Sequence, residues 1–145
     1  MATTPQFGAT AVFAYNTTNI TAANTAADGT GTVTFLQTNT AGTAADWVAG
    51  TGGAFIDSLV IVPRGTNVVT VLRLFANANA TNATAANNDL IGEATCPATT
   101  VSQVAALPPV VISVKRWFPA GTKFFVTIGT AVAAGFSVSA YGSQM

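Results

Sequence analysis

The sequence contains no histidine, and its one cysteine, Cys96, has no partner within the 145 residues. Without histidine the Ser-His-acid and Cys-His arrangements cannot form, and the usual general base near neutral pH is missing. Tetrahedral metal sites built on His and Cys are excluded as well, because one thiol cannot supply the ligands. A lone cysteine gives no intrachain disulfide framework and no sign of an oxidising compartment, so Cys96 is expected to be a small buried thiol. Charge is scarce too: 7% of residues are charged, five of each sign, against about 25% in an average globular domain. The zero net charge argues against a nucleic-acid partner, since phosphate binding needs clustered Lys and Arg. Lys115-Arg116 is the only adjacent basic pair, and with Trp117 and Phe118 beside it the stretch reads as a strand end with an aromatic anchor.

Long apolar runs are also missing. None reaches the roughly 18 residues of a membrane helix, and the longest, "VAALPPVVISV", is split by Pro108 and Pro109. The opening "MATTPQFGATAVFAYN" has neither a basic n-region nor a continuous apolar h-region, so a secretory signal is not expected. No membrane partner, cofactor or metal is expected from these features.

Half the residues are apolar, and their spacing is that of strands. In "AGFSVSAYG" Phe136, Val138 and Ala140 fall on one side and Ser137, Ser139 and Tyr141 on the other, the period of two of a half-buried strand. Similar segments at 7–14, 30–37, 54–62, 67–75, 89–96, 109–117 and 123–129 bring the expected count to eight. Turn chemistry separates them, as in "PRGT" at 63–66 and "PAGT" at 119–122, where Pro suits the first corner and Gly a positive φ. Helical signals are confined to "GTAADWVAG" and "TNATAANND". The chain is long enough for one full core. The expected fold is all-β, an eight-stranded antiparallel β-sandwich of jelly-roll type, with an open barrel as the alternative. Residues 1–28 read as an N-terminal extension or arm with a possible first strand, and 29–145 as the sandwich. Strands such as "SLVIV" and "VVTVLRLF" are apolar on both faces, so the outer face needs cover from a loop or a neighbouring subunit.

The carboxylates Asp28, Asp46, Asp57, Asp89 and Glu93 are scattered. Asp89 and Glu93 are four apart on an expected strand and would share a face, the one place for a paired-carboxylate or calcium site; a loop-end Asp and a solvated Glu is the plainer reading. Asp57 in "AFIDSLVIV" and Arg73 in "VVTVLRLF" would face each other if the two runs formed an antiparallel hairpin around Arg64-Gly65. That predicts a structural ion pair acting as a register clamp. Trp47, Trp117, Phe118 and Tyr141 are the candidate interface or aromatic anchors.

The succession "GTGTVTFLQTNTAGTAADWVAGTGGAFIDSLVIVPRGTN", "VLRLF", "DLIGEAT", "WFPAGTKFFV" and "SVSAYGSQM" resembles a group of small virion structural proteins of tailed bacteriophages over about residues 29–142. The shared features are an "xxIDxLxI" strand, an "xxRLF" strand, an "LxxE" strand, a Pro-Ala-Gly turn and a last strand ending near Tyr-Gly. The resemblance implies a β-sandwich capsid cement or decoration protein on the capsid surface. Such a protein is trimeric, with the major capsid protein and copies of itself as partners; tail and head-tail positions are the other places in a virion. The "ANANATNATAANN" stretch (76–88) is a departure from the group and would project as an uncharged tip. Triplets at Asn16, Asn19, Asn79 and Asn82 match the glycosylation sequon, a pattern that Asn/Thr-rich composition also produces by chance. The alternative function is a tail, head-tail or fibre-associated module that recognises host glycan through exposed aromatics; a hydrolase ranks last.

Overall fold

The computed structural model describes residues 10–40, 43–79 and 81–144. Ten strands run through them: β1 (Thr10–Tyr15), β2 (Thr34–Phe35), β3 (Gln37–Thr40), β4 (Thr43–Asp46), β5 (Ala54–Pro63), β6 (Thr70–Asn77), β7 (Asp89–Cys96), β8 (Val110–Phe118), β9 (Lys123–Ile128) and β10 (Phe136–Gln144). The only helical element among the described residues is a 3₁₀ turn at Ala85–Asn87, inside one of the two stretches with helical character. The fold is all-β, with a six-stranded sheet in the order β4-β3-β1-β10-β5-β8 and a four-stranded sheet in the order β2-β9-β6-β7. Every pairing between these strands is antiparallel.

The alternation seen in the sequence sets the inner faces. Ile56, Leu59 and Ile61 of β5, with Val138 and Ala140 of β10, meet Leu72 and Leu74 of β6 and Phe124, Val126 and Ile128 of β9 in one buried cluster. At about 25 cal/mol per Å² of apolar surface removed from water, this cluster is the main source of stability. A bulge at Asp57 lets both Asp57 and Ser58 escape the core before the alternation resumes at Leu59. At the open side, where β7 and β8 end the two sheets, the Arg116 guanidinium reaches across to Asp89 at 2.8 Å. There Ile112 packs so closely on Gly92 that a Cβ would lie 2.8 Å from it.

Four expectations change. Ten strands among the described residues replace eight, because 30–37 breaks at Leu36 and Gln37–Thr40 pairs with Thr43–Asp46 as β3 and β4. The hairpin between 54–62 and 67–75 does not form: β5 lies between β10 and β8 in one sheet, and β6 between β9 and β7 in the other. Each of these strands is apolar on both faces and therefore takes a central position, which a sheet offers with two neighbours. Asp57 and Arg73 are consequently apart, and Arg73 pairs with Glu93 at 3.1 Å. Finally, residues 10–28 belong to the same unit as the rest, since β1 pairs with β10 along its whole length and Ile20 bridges Phe136; residues 1–9 lie outside the described residues.

Cover for the four-stranded sheet comes from the chain itself. Phe35, Phe125 and Phe75 form a row across β2, β9 and β6 on the outer face, with ring centroids 5.2 and 5.3 Å apart. Phe75 and Phe125 are nonetheless fully buried. The Gly29 backbone lies directly on the Phe75 ring, with 3.0 Å between that ring and the place a Cβ would take. Asparagine amides hold this loop down: Asn82 Nδ2 donates to the carbonyls of Gly29 and Gly31 at 2.8 and 3.0 Å, and Asn88 Nδ2 to that of Asp28 at 3.1 Å. Asn24 Nδ2 closes the loop from within, donating to Thr30 and Thr32 carbonyls at 2.7 and 2.6 Å. Asn82 and Asn88 thus clasp the Gly29 loop over the buried Phe75 ring, where the sequence suggested a projecting tip.

Candidate functional site

Four connections between the sheets meet at one end of the sandwich: 16–33 after β1, 64–69 after β5, 97–109 after β7 and 129–135 after β9. Asn67 is the tie among three of them. Its backbone pairs with Thr99 in both directions, at 3.0 and 2.9 Å. The Asn67 Oδ1 accepts from the backbone N–H groups of Ala134 and Gly135, both at 2.9 Å, and its Nδ2 donates to the Gly135 carbonyl at 3.0 Å. The Asn67 side chain is therefore buried with both its polar atoms hydrogen-bonded, which is how a polar group is tolerated there. Gly135 has φ of +77°, and a Cβ on it would lie 2.9 Å from the Ile20 carbonyl oxygen, so glycine is required where 129–135 passes 16–23. Asn16 completes the end, donating to the carbonyls of Thr18 and Phe136 at 2.6 and 2.9 Å and accepting from Val138 N–H at 2.6 Å.

These ties make a firm platform, and its exposed side is apolar. Val68, Val69 and Val101 are each more than half exposed, and Val104 is 98% exposed. The 66–69 and 97–104 segments lie side by side, since Thr66 Oγ1 accepts from Val101 N–H at 3.1 Å beside the Asn67–Thr99 bridge. Within residues 16–27, 64–69, 97–109 and 129–135 the one charged residue is Arg64, and Asn19 Oδ1 accepts a 2.5 Å hydrogen bond from its guanidinium. Below the 97–109 loop is a cleft of about 140 Å³ lined by Ile61, Pro63, Leu107, Pro108, Val110 and Phe136. Cys96 also borders it; burial pushes this thiol above its ordinary pKa, which leaves it protonated and unreactive at neutral pH.

The expected anchors separate into two kinds. Trp47 is a core residue, stacked on Phe124 with centroids 5.3 Å apart. Phe118 is buried too, edge-on to Phe124 at 4.8 Å and beneath the Arg116 guanidinium at 5.2 Å. Trp117 and Tyr141 are 44% and 43% exposed; Trp117 stands beside Phe55 with centroids 6.4 Å apart. The carboxylates do not form a pair. Ile91 is an extra residue between Leu90, opposite Phe75, and Gly92, opposite Leu74, and this bulge turns Asp89 and Glu93 to opposite faces. Each meets its own arginine, Asp89 with Arg116 and Glu93 with Arg73. No group of three His, Cys, Asp or Glu side chains placed to hold a metal ion occurs among the described residues. Of the four sequon asparagines, Asn16 and Asn82 use their amides to hold backbone carbonyls, and Asn19 donates to the Ala134 carbonyl at 3.3 Å; Asn79 is exposed.

Sequence reasoning missed the loop end as a surface. Its signal was the run from Pro97 to Pro109 without a single charge, part of which was weighed only as an apolar run too short to cross a membrane. Comparison with protein-family models, with curated proteins and with solved structures finds no match.

Proposed function

We propose that this chain is a structural virion protein of a tailed bacteriophage, a capsid cement protein that binds the major capsid protein as a homotrimer. The observation that carries the reading is the valine-studded loop end, with Arg64 its one charge, on a firm sandwich. A surface of that kind works by contact area and fit, since apolar patches left exposed on a soluble domain mark interaction sites. The strand order supports it as well. Leaving out the β3–β4 hairpin, the first strand pairs with the last, the second with the next to last, and so inward to β6 with β7. This order supports reading the fold as a jelly roll, an architecture recurrent in viral shells and lectins. The resemblance of residues 29–142 to phage virion proteins points the same way.

A specific contact of this sort covers about 800 Å² per partner. With one charged residue at the loop end, its strength depends little on salt. The test compares particles with and without the protein. Depleted particles are expected to assemble, to open at a lower temperature than complete ones, and to regain resistance when purified protein is added, at low and at high salt alike. Depleted particles that were as heat-resistant as complete ones and failed instead to adsorb to host cells would transfer the reading to a receptor-binding module, for which exposed Trp117 and Tyr141 are the aromatic platform.

A further inference from the structure

We infer that the loop end is the joint between copies of this chain, with Val104 of one copy seated in the cleft beneath the 97–109 loop of the next. This deepens the reading of the protein as an oligomeric cement and rests on it. The cleft holds about 140 Å³, whereas sites for small-molecule ligands run to about 300–1,000 Å³. An apolar cavity of about 150 Å³ accepts a benzene-sized guest, so one aliphatic side chain is the right occupant. Val104 is such a side chain and is nearly free of its own molecule at 98% exposure. It occupies the bend at 103–105 between exposed neighbours Gln103 and Ala105. From Thr99, fixed to Asn67, to Leu107 in the cleft wall the chain has seven residues, 100–106, to go out and return. At about 3.3 Å per residue that permits a reach of about 10 Å, enough to enter a neighbour's surface.

Charge selects the partner. Neither the 97–109 loop nor the residues lining the cleft include a charged group, so a charged occupant would lose its water with no counter-ion, at a cost of several kcal/mol. A second copy brings a loop that is equally neutral. Knob and cleft are satisfied in every copy only when the copies close on themselves, by reciprocal exchange across a two-fold axis or around a ring.

Two single variants of the full chain and their mixture test this. Val104→Asp removes the knob and leaves the cleft; Ala98→Trp, at an exposed position on the cleft wall, fills the cleft and leaves the knob. Both variants are expected to fold, with the circular dichroism of the wild type, because neither side chain is buried; the assembled wild type unfolds at a higher temperature by the amount its association adds. In sedimentation velocity the wild type runs as a closed oligomer, each variant alone as a monomer with self-association weakened about 100-fold or more, and the two mixed as a 1:1 complex through the one intact knob and the one intact cleft. Wild-type protein that stays monomeric, or Val104→Asp protein that assembles like the wild type, overturns the inference. Binding of the monomeric variants to depleted particles reads the cement function separately: Val104→Asp protein that assembles normally and still restores heat resistance removes the joint and keeps the function, whereas assembly through knob and cleft without any binding to particles removes the function and keeps the joint.

Discussion

Arg73 and Glu93 face each other across β6 and β7, with the guanidinium Nε 3.1 Å from the carboxylate. The arginine is largely covered and the glutamate is more than half exposed, so this is a cross-strand pair at the surface of the four-stranded sheet. Pairs of that kind are worth about 0.2–1 kcal/mol. Arg73→Leu is therefore expected to cost no more than about 1 kcal/mol in urea unfolding. A double-mutant cycle should show coupling of Arg73 to Glu93 and none to Asp57; coupling to Asp57 would mean that β5 and β6 share a sheet after all.

Asn82 carries more weight than its exposed surroundings suggest. Its amide supplies two of the hydrogen bonds that hold the Gly29 loop on Phe75. Asn82→Ala removes both donors and loosens the lid over the buried Phe75 ring, for an expected loss of about 1–3 kcal/mol. Asn82→Asp should be worse, since it sets a carboxylate against the same carbonyls. Hydrogen exchange is the discriminating measurement: amides of residues 24–32 should lose protection while those of β5 and β10 keep theirs. Uniform loss across both sheets would contradict a local clasp.

Two glycines separate steric from conformational cost. A Cβ at Gly142 would lie 2.0 Å from the Phe55 carbonyl oxygen, whereas at Gly121, with φ of +82°, it would meet nothing within 4 Å. Gly142→Ala must push β10 off β5 at its bulge and should cost several kcal/mol, in the range of severe core overpacking. Gly121→Ala pays only for left-handed backbone, about 1–2 kcal/mol. Thermal unfolding of the two variants gives the order, and equal losses would count against the close approach at Gly142.

How far these features could be read in the sequence depends on how local their causes are. Strand positions follow from alternation within a few residues, so Asp89–Cys96 coincides with the expected 89–96, and the edges of β5, β8 and β9 shift by one. The Pro-Ala-Gly turn is equally local, and Gly121 has the expected positive φ, although Gly65 of the "PRGT" turn does not. Pairing is another matter. Nothing within "SLVIVPRGTNVVTVLRLF" distinguishes a hairpin from two strands that part into different sheets, because the deciding contacts lie far along the chain, with β8 and β10 on one side and β7 and β9 on the other. One bulged residue, Ile91, sufficed to cancel the shared face of Asp89 and Glu93. The asparagine clasp escaped notice for a related reason: Asn82 and Gly29 are 53 residues apart, and an amide that caps a carbonyl looks in sequence like any other polar loop residue. The aromatic anchors divided by face, with Trp47 and Phe118 turned inward and Trp117 outward, which the strand phase at a bulged end does not reveal.

Cys96 gives the fold a dependence on alkaline pH. It is buried at the end of β7, and burial raises its thiol above the ordinary value of 9.0. In the unfolded chain the thiol ionises near that ordinary value, while in the folded chain it remains protonated. The unfolded state therefore releases a proton that the folded state retains. The stabilising contribution is fully present below about pH 9 and is lost as pH rises towards the folded value. Cys96→Ala lacks this linkage. At pH 7 the variant should be less stable than the wild type, because the sulfur leaves a gap beside Ile61 and Phe136 in the cleft wall. At pH 10 the difference should narrow, and comparing the two proteins at both pH values cancels the titration of Tyr and Lys, which they share. A stability gap that stays constant or widens between pH 7 and pH 10 would show that the thiol ionises as readily in the folded protein as in the unfolded chain. The same burial predicts that a thiol reagent modifies Cys96 at a rate that follows unfolding: slow in buffer, and rising with urea in step with the loss of the β-sheet circular dichroism signal.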